Sequence, residues 1–266
     1  MSGPTDASER WAEMLSEWAI PQDIAAAVPA SPYFFDPAVF TSAADEAMAR
    51  VDDTPSDRAA REAVAAGGGV VLDVGVGAGA ASLRLGARRI IGVDPNEELL
   101  EAFAQRARDL EIETVLVKGM WPHVADQVPQ VDVVVCHHVV YNVADLATFA
   151  QALTEHASHR VVIELTAVHP MSWLEPYWKA LHDLEQPQRP VAEDAIAVLE
   201  ELGIRPQHER WARPIQMIGE SGGAQLERVA RRLCIGPDRH DQLRNVLDAT
   251  PPPVDRDVVT VWWTMS

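Results

Sequence analysis

Between Val70 and Leu165 the chain alternates five short apolar runs with helical stretches, a pattern that few folds accept. Val70–Val74 and Arg89–Val93, the latter with Ile90 and Ile91, are β-branched in the way strands buried on both faces require. Thr114–Val117, Val131–Cys136 and Arg160–Leu165 repeat the signal. Helical patterns lie between them at Glu97–Arg108 and at Leu146–Ala157, the second opened by Asp145 as N-cap. Strand–helix alternation of this kind predicts right-handed crossovers and a parallel sheet covered on both faces. Further helices are expected at Trp173–Leu184, Val191–Leu202 and Gln225–Leu233, with Gly203 closing the second of these. Val258–Trp263 reads as a final strand.

Residues 1–66 read as a helical arm and residues 67–266 as the main domain. In the arm, Trp11, Leu15 and Trp18 form one helical stripe, followed by a proline-punctuated segment from Pro29 to Pro37. Another helix at Ala43–Val51 and a polar linker at Asp52–Ser56 precede the first strand. Tyr33, Phe34 and Phe35 stand between Pro32 and Pro37, which restrict the backbone on both sides. Three consecutive aromatics cannot share one face, so at least one is expected to project. Either these rings plug the arm onto the sheet's helices, or the arm is a lid with one ring walling a pocket.

Charge narrows the partners. The 266 residues hold 40 acidic and 22 basic side chains, a net charge of −18. Such a surface repels phosphate backbones, so no nucleic-acid partner is expected. Only Cys136 and Cys234 are present, too few for a disulfide framework, which fits a reducing cytoplasm. No apolar run approaches the ~18 residues of a membrane helix, and the first residues lack the charged and apolar regions of a signal peptide. A cytoplasmic chain without a membrane partner is expected.

The first strand runs into Asp73-Val74-Gly75-Val76-Gly77-Ala78-Gly79. Glycines there let the chain turn sharply from strand to helix and let a ligand approach the backbone. A dinucleotide fingerprint would place its third glycine at position 80, which is Ala80. The third glycine falls at 79 instead, and a carboxylate precedes the first by two residues. A pyrophosphate gains nothing from that carboxylate, whereas a cationic ligand with an amino group does. The second strand ends at Asp94-Pro95, about 20 residues past the loop, where an acid can accept both ribose hydroxyls of an adenosine.

With these motifs the chain resembles the class I S-adenosylmethionine-dependent methyltransferases, of the bacterial small-molecule type, over roughly residues 67–266. The resemblance implies a Rossmann-like seven-stranded sheet, mostly parallel, flanked by helices, in the order 3-2-1-4-5-7-6 with the seventh strand antiparallel. It implies that Asp73, Gly75, Gly77 and Gly79 cradle the methionine part of S-adenosylmethionine and that Asp94, with Pro95, holds the ribose. The stretch flanking the adenine corresponds to Gly119, Met120 and Trp121. Many relatives carry an acid where this chain has Met120, which points to apolar packing against the base. The fourth strand leads into Cys136-His137-His138-Val139-Val140-Tyr141, facing cofactor and substrate.

Methyl transfer is mainly positioning, with a base where the acceptor must lose a proton. His138 after strand four and His169 after strand five are the candidate bases, because sites in open α/β sheets lie at that edge. His137 is assigned to the cofactor, and Tyr33, Phe34 and Tyr141 to a small-molecule acceptor. No metal is expected, since adjacent strand residues such as Cys136, His137 and His138 face opposite ways. An NAD-dependent oxidoreductase and a non-catalytic S-adenosylmethionine-binding protein are the alternatives. A homodimer is left open.

Overall fold

The computed structural model describes residues 6–28, 31–34, 36–214 and 223–265. Its centre is a seven-stranded sheet in the order β3-β2-β1-β4-β5-β7-β6. The strands are β1 (Val70–Val74), β2 (Arg89–Asp94), β3 (Glu113–Lys118), β4 (Val131–His137), β5 (Ala157–Thr166), β6 (Gln207–Pro214) and β7 (Asp255–Thr264). Only β7 runs against the others, pairing antiparallel with both β5 and β6. The sheet order and the antiparallel seventh strand are those the resemblance implied. Strand β6 has no apolar signal because it is an exposed edge, and charged residues there discourage pairing with another chain.

Period-two alternation sends side chains to two cores. On one face, Leu72, Val134, Val161, Ile163 and Val261 pack against α1 (Asp6–Ser16), α6 (Leu146–His156) and α8 (Ala192–Glu201). On the other, Val71, Ile90, Val133, Val135 and Val162 pack against α4 (Pro55–Ala66) and α5 (Glu97–Asp109). Asp145 caps α6 by accepting from the Thr148 amide at 3.0 Å. Helix α4 was not expected. Its start was legible, because Thr54 and Asp57 form a capping box with Pro55 in the first turn. The helix lies against β4, β5 and β7, within the stretch assigned to the arm.

No helix follows the glycine loop. Residues 75–88 form turns before β2, and Gly75, Gly77, Gly79 and Gly86 all have positive φ. Four such glycines in a short connection break any helical register. Ala81, Leu83, Leu85 and Ala87 fill the space by packing into the second core.

A third cluster caps the molecule. It joins α7 (Glu175–His182), α9 (Gly223–Arg232) and α10 (His240–Ala249) to arm residues Ile20, Ile24 and Val28 around α2 (Gln22–Ala25). These helices depart from the C-terminal ends of β5 and β6, so the cap belongs to the edge where α/β sheets hold ligands. Trp11 anchors α1, fully buried, with Nε1 donating to the Val143 carbonyl at 2.8 Å. Trp18 lies beyond the end of α1. The last arm helix, α3 (Pro37–Ala49), contacts α5.

Candidate active site

The glycine loop and the acid of β2 form one unit. The Gly77 amide donates to Asp94 Oδ2 at 2.9 Å, and the Asn96 amide donates to Oδ1 at 2.8 Å. Burial pushes the Asp94 carboxyl up, while these two hydrogen bonds oppose it. Each oxygen keeps a further lone pair with which to accept from a hydroxyl. Gly75 has a φ of +74°, and a Cβ there would lie 2.4 Å from Val139 Cγ2. At Gly77, with a φ of +51°, the corresponding neighbour is the ring of Phe40 from α3, at 3.6 Å.

Beneath the loop, Asp73 is fully buried, and neither carboxylate oxygen has a hydrogen-bond partner. Burial pushes its carboxyl up to about 7; the nearby Ser82 hydroxyl pulls down and Asp94 pushes further up. Buried polar atoms are rarely left so. A cationic amino group fits this unmet acceptor. The residues present therefore fit S-adenosylmethionine.

Pro95 and Met120 are exposed beside this unit, and the Gly119 amide donates to the Asp94 carbonyl at 3.1 Å. Trp121 belongs to the first core, edge-on to His156 at 4.9 Å, with its buried Nε1 unpartnered. Gly79 packs tightly on Leu83 and Phe103, supporting the loop from behind.

Sequence reasoning missed the network at the end of β4 and β5. Glu164, 3% exposed, receives the Ser56 hydroxyl at 2.6 Å on Oε2. Its Oε1 lies 3.0 Å from His138 Nε2 and 3.3 Å from an Arg213 nitrogen. Ser56 also meets Thr260 at 2.7 Å, and Trp211 Nε1 donates to that threonine at 3.0 Å. Burial works against a charge on Glu164, but His137, His138 and Arg213 outweigh it and hold the carboxyl well below the usual carboxylate range. Burial depresses His137 in turn, while the Glu164 charge opposes that shift. The one available signal was an acid inside an apolar strand, since such residues are almost never buried without partners.

His138 is held twice by the same residue. Its backbone has a φ of +59°, and its amide donates to the Glu164 carbonyl at 2.7 Å. Nε2 also lies 3.3 Å from Arg213, which can only donate, whereas Glu164 can only accept. The shorter contact assigns the Nε2 proton to the Glu164 bond and leaves the lone pair on Nδ1. His137 Nε2 is buried without a partner.

His169 sits differently. Trp18 stacks on it at 3.7 Å, Tyr141 meets it edge-on at 5.3 Å, and its Nδ1 accepts from the Met171 amide at 3.3 Å. Burial pushes its pKa down to about 4. The Tyr141 hydroxyl is buried and donates to the Thr166 carbonyl at 2.9 Å. Tyr33 and Phe34 are exposed: the Tyr33 oxygen accepts from the Ile20 amide, and Arg231 lies over the Phe34 ring. Phe35 falls outside the described residues. Among the described residues, the arm ring that reaches the glycine loop is Phe40.

Residues 71–160 match a family model described as a methyltransferase domain, and that stretch contains the glycine loop, Asp94 and His138. Over that stretch the chain is similar to a methyltransferase domain. No curated protein matches the chain. Among solved structures, the methyltransferase fold recurs in a SAM-dependent methyltransferase from Geobacter sulfurreducens in complex with S-adenosyl-L-homocysteine. That likeness has 14% identity and a TM-score of 0.52, covering 85% of this chain and 98% of that one. A SAM-dependent methyltransferase from Aquifex aeolicus is similar at 15% identity and a TM-score of 0.48, covering 88% and 100%. A third likeness is to a protein studied in the conversion of a disulfide bond into a thioacetal group during echinomycin biosynthesis. It has 14% identity and a TM-score of 0.50, covering 80% and 82%.

Proposed function

We propose that the chain is an S-adenosylmethionine-dependent methyltransferase acting on a small-molecule acceptor that gives up a proton, with His138 as the base. The observation that carries this reading is the His138–Glu164 pair at 3.0 Å, which fixes the imidazole tautomer and leaves Nδ1 able to accept. Among the described residues no group bonds that nitrogen.

The methionine part of the cofactor is assigned to Asp73, Gly75, Gly77 and Gly79, and the ribose to Asp94 and Pro95. Gly119 and Met120 line the adenine side, with Trp121 supporting them from the core. When bound, S-adenosylmethionine supplies a methyl group on a cationic sulfonium. Asp73 then gains the donor it lacks, and Asp94 accepts from the ribose while keeping the loop closed through Gly77. His138 Nδ1 takes the acceptor's proton, and Glu164 stabilises the imidazolium that results. His137, whose Nδ1 lies 3.9 Å from Glu164 Oε2, is assigned to the cofactor.

His169 serves as a wall, because a ring with its pKa near 4 is a weak base at neutral pH. Tyr141 shapes that wall through its ring, since its hydroxyl is engaged by Thr166. Tyr33 and Phe34 belong to the outer rim, where the arm meets α9. Of the arm, residues 1–66, the part assigned as a cover over the site is α3, acting through Phe40. No described helix is long and apolar enough to cross a membrane, and both cysteines are free and buried, which supports a cytoplasmic setting.

The test is turnover with a panel of phenols, hydroxy acids, amines and thiols, followed as S-adenosylhomocysteine by mass spectrometry. A hydroxyl or amine acceptor whose turnover falls at least a hundredfold in His138→Ala supports the reading. Full turnover by that variant contradicts it.

A further inference from the structure

At the rim of this site two arginines are placed where charge repulsion should separate them. Arg213 of β6 and Arg256 of β7 are directly opposite in the antiparallel register, and like charges so placed destabilise a sheet. Neither escapes to solvent: the Arg213 side chain is 18% exposed, and Arg256 is half-buried. Alternation puts both on the face that carries Glu164 and Thr260. Arg50, just past the end of α3, adds a third positive charge felt together with Arg213 and Glu164.

The carboxylates nearby are already committed. Glu164 is shared among Ser56, His138 and Arg213. Asp57 serves Arg50 and Arg84 and accepts from the Thr54 amide. Arg256 makes no ion pair or hydrogen bond with any described residue, and its Nε is buried without a partner. Burial and the Arg213 charge push its pKa down, and the Glu164 charge only partly opposes them. A partly buried guanidinium with no ion pair of its own is costly, and its donor fork matches an oxyanion in two-point contact.

We propose that Arg256, with Arg213, binds an oxyanion carried by the methyl acceptor, so that the acceptor is an acidic small molecule presenting a carboxylate or phosphate. The assignment rests on the reading of His138 as the base, because Arg213 lies 3.3 Å from its ring and so sets the anion beside the methylated atom. In a chain of net charge −18 an acidic substrate needs such a local positive site.

The probes are benzoate and inorganic phosphate, titrated calorimetrically into the protein alone and into protein saturated with S-adenosylhomocysteine. Saturable one-site binding of at least one probe is expected in both. Affinity should fall at least tenfold in Arg256→Gln, recover in part in Arg256→Lys, and stay unchanged in Arg244→Gln on α10. Absence of saturable binding to the unmodified protein overturns the proposal, whatever the variants do. Binding that survives Arg256→Gln also overturns it. Binding lost on adding S-adenosylhomocysteine overturns it too, by assigning these arginines to the cofactor's own carboxylate. Failure of S-adenosylhomocysteine itself to bind would count against the methyltransferase site, while the titration of the protein alone still decides the arginine site.

Discussion

His138 and Glu164 are joined twice, by the amide of one to the carbonyl of the other at 2.7 Å and by Nε2 to Oε1 at 3.0 Å. The double tie explains how a non-glycine residue keeps a φ of +59°, a conformation that costs on the order of 1 kcal/mol or more. Glu164→Gln keeps the side chain's shape but removes the charge that stabilises an imidazolium. We expect kcat to drop roughly 10²-fold, the scale of general-base contributions. Cofactor affinity should stay within a factor of about two. Equal kcat in both proteins, measured with saturating acceptor, would show that the pair is only structural.

Asp73 makes stability depend on pH. Its folded pKa is raised to about 7, above the ordinary carboxyl value, so its contribution is complete below about pH 4 and lost as pH rises through 7. Asp73→Asn should therefore stabilise the cofactor-free protein at pH 8 by a few kcal/mol, with little difference at pH 4. It should also weaken S-adenosylhomocysteine binding. Urea unfolding of both proteins from pH 4 to 8 checks this, and parallel curves would reject it.

Phe40 covers the cradle, its ring 3.6 Å from where a Gly77 Cβ would stand. On the proposed assignment of this loop to the methionine part of the cofactor, the ring is expected to swing aside on entry. Phe40→Ala should speed cofactor association several-fold in stopped-flow fluorescence and lower kcat by admitting water to the closed site. An unchanged association rate would place Phe40 away from the entry route.

The parallel strands were legible because burial on both faces writes itself as continuous β-branched runs, and β1 spans Val70–Val74 as expected. The glycine loop and Asp94 were legible because their backbone conformations and spacing admit few residues. Strand β6 was not, because an edge strand carries no apolar period. Helix α4 announced itself only through Thr54, Pro55 and Asp57, easily taken for a linker. The network around His138 draws on Glu164 and Arg213, and through Glu164 on Ser56 and Thr260, far apart in sequence, and only the fold brings them together. Phe40 was overlooked for the same reason: which arm ring faces the loop depends on how α3 packs on α5.

The Asp73–Gly79 loop and Asp94 are proposed to hold S-adenosylmethionine. Calorimetric titration with S-adenosylhomocysteine and, separately, with NAD tests this most directly. The account predicts one-site binding of S-adenosylhomocysteine, weakened by about 1.5–3 kcal/mol in a folded Asp94→Ala variant, and no NAD binding. Binding of NAD in place of S-adenosylhomocysteine, or an affinity for S-adenosylhomocysteine that Asp94→Ala leaves unchanged, would contradict it.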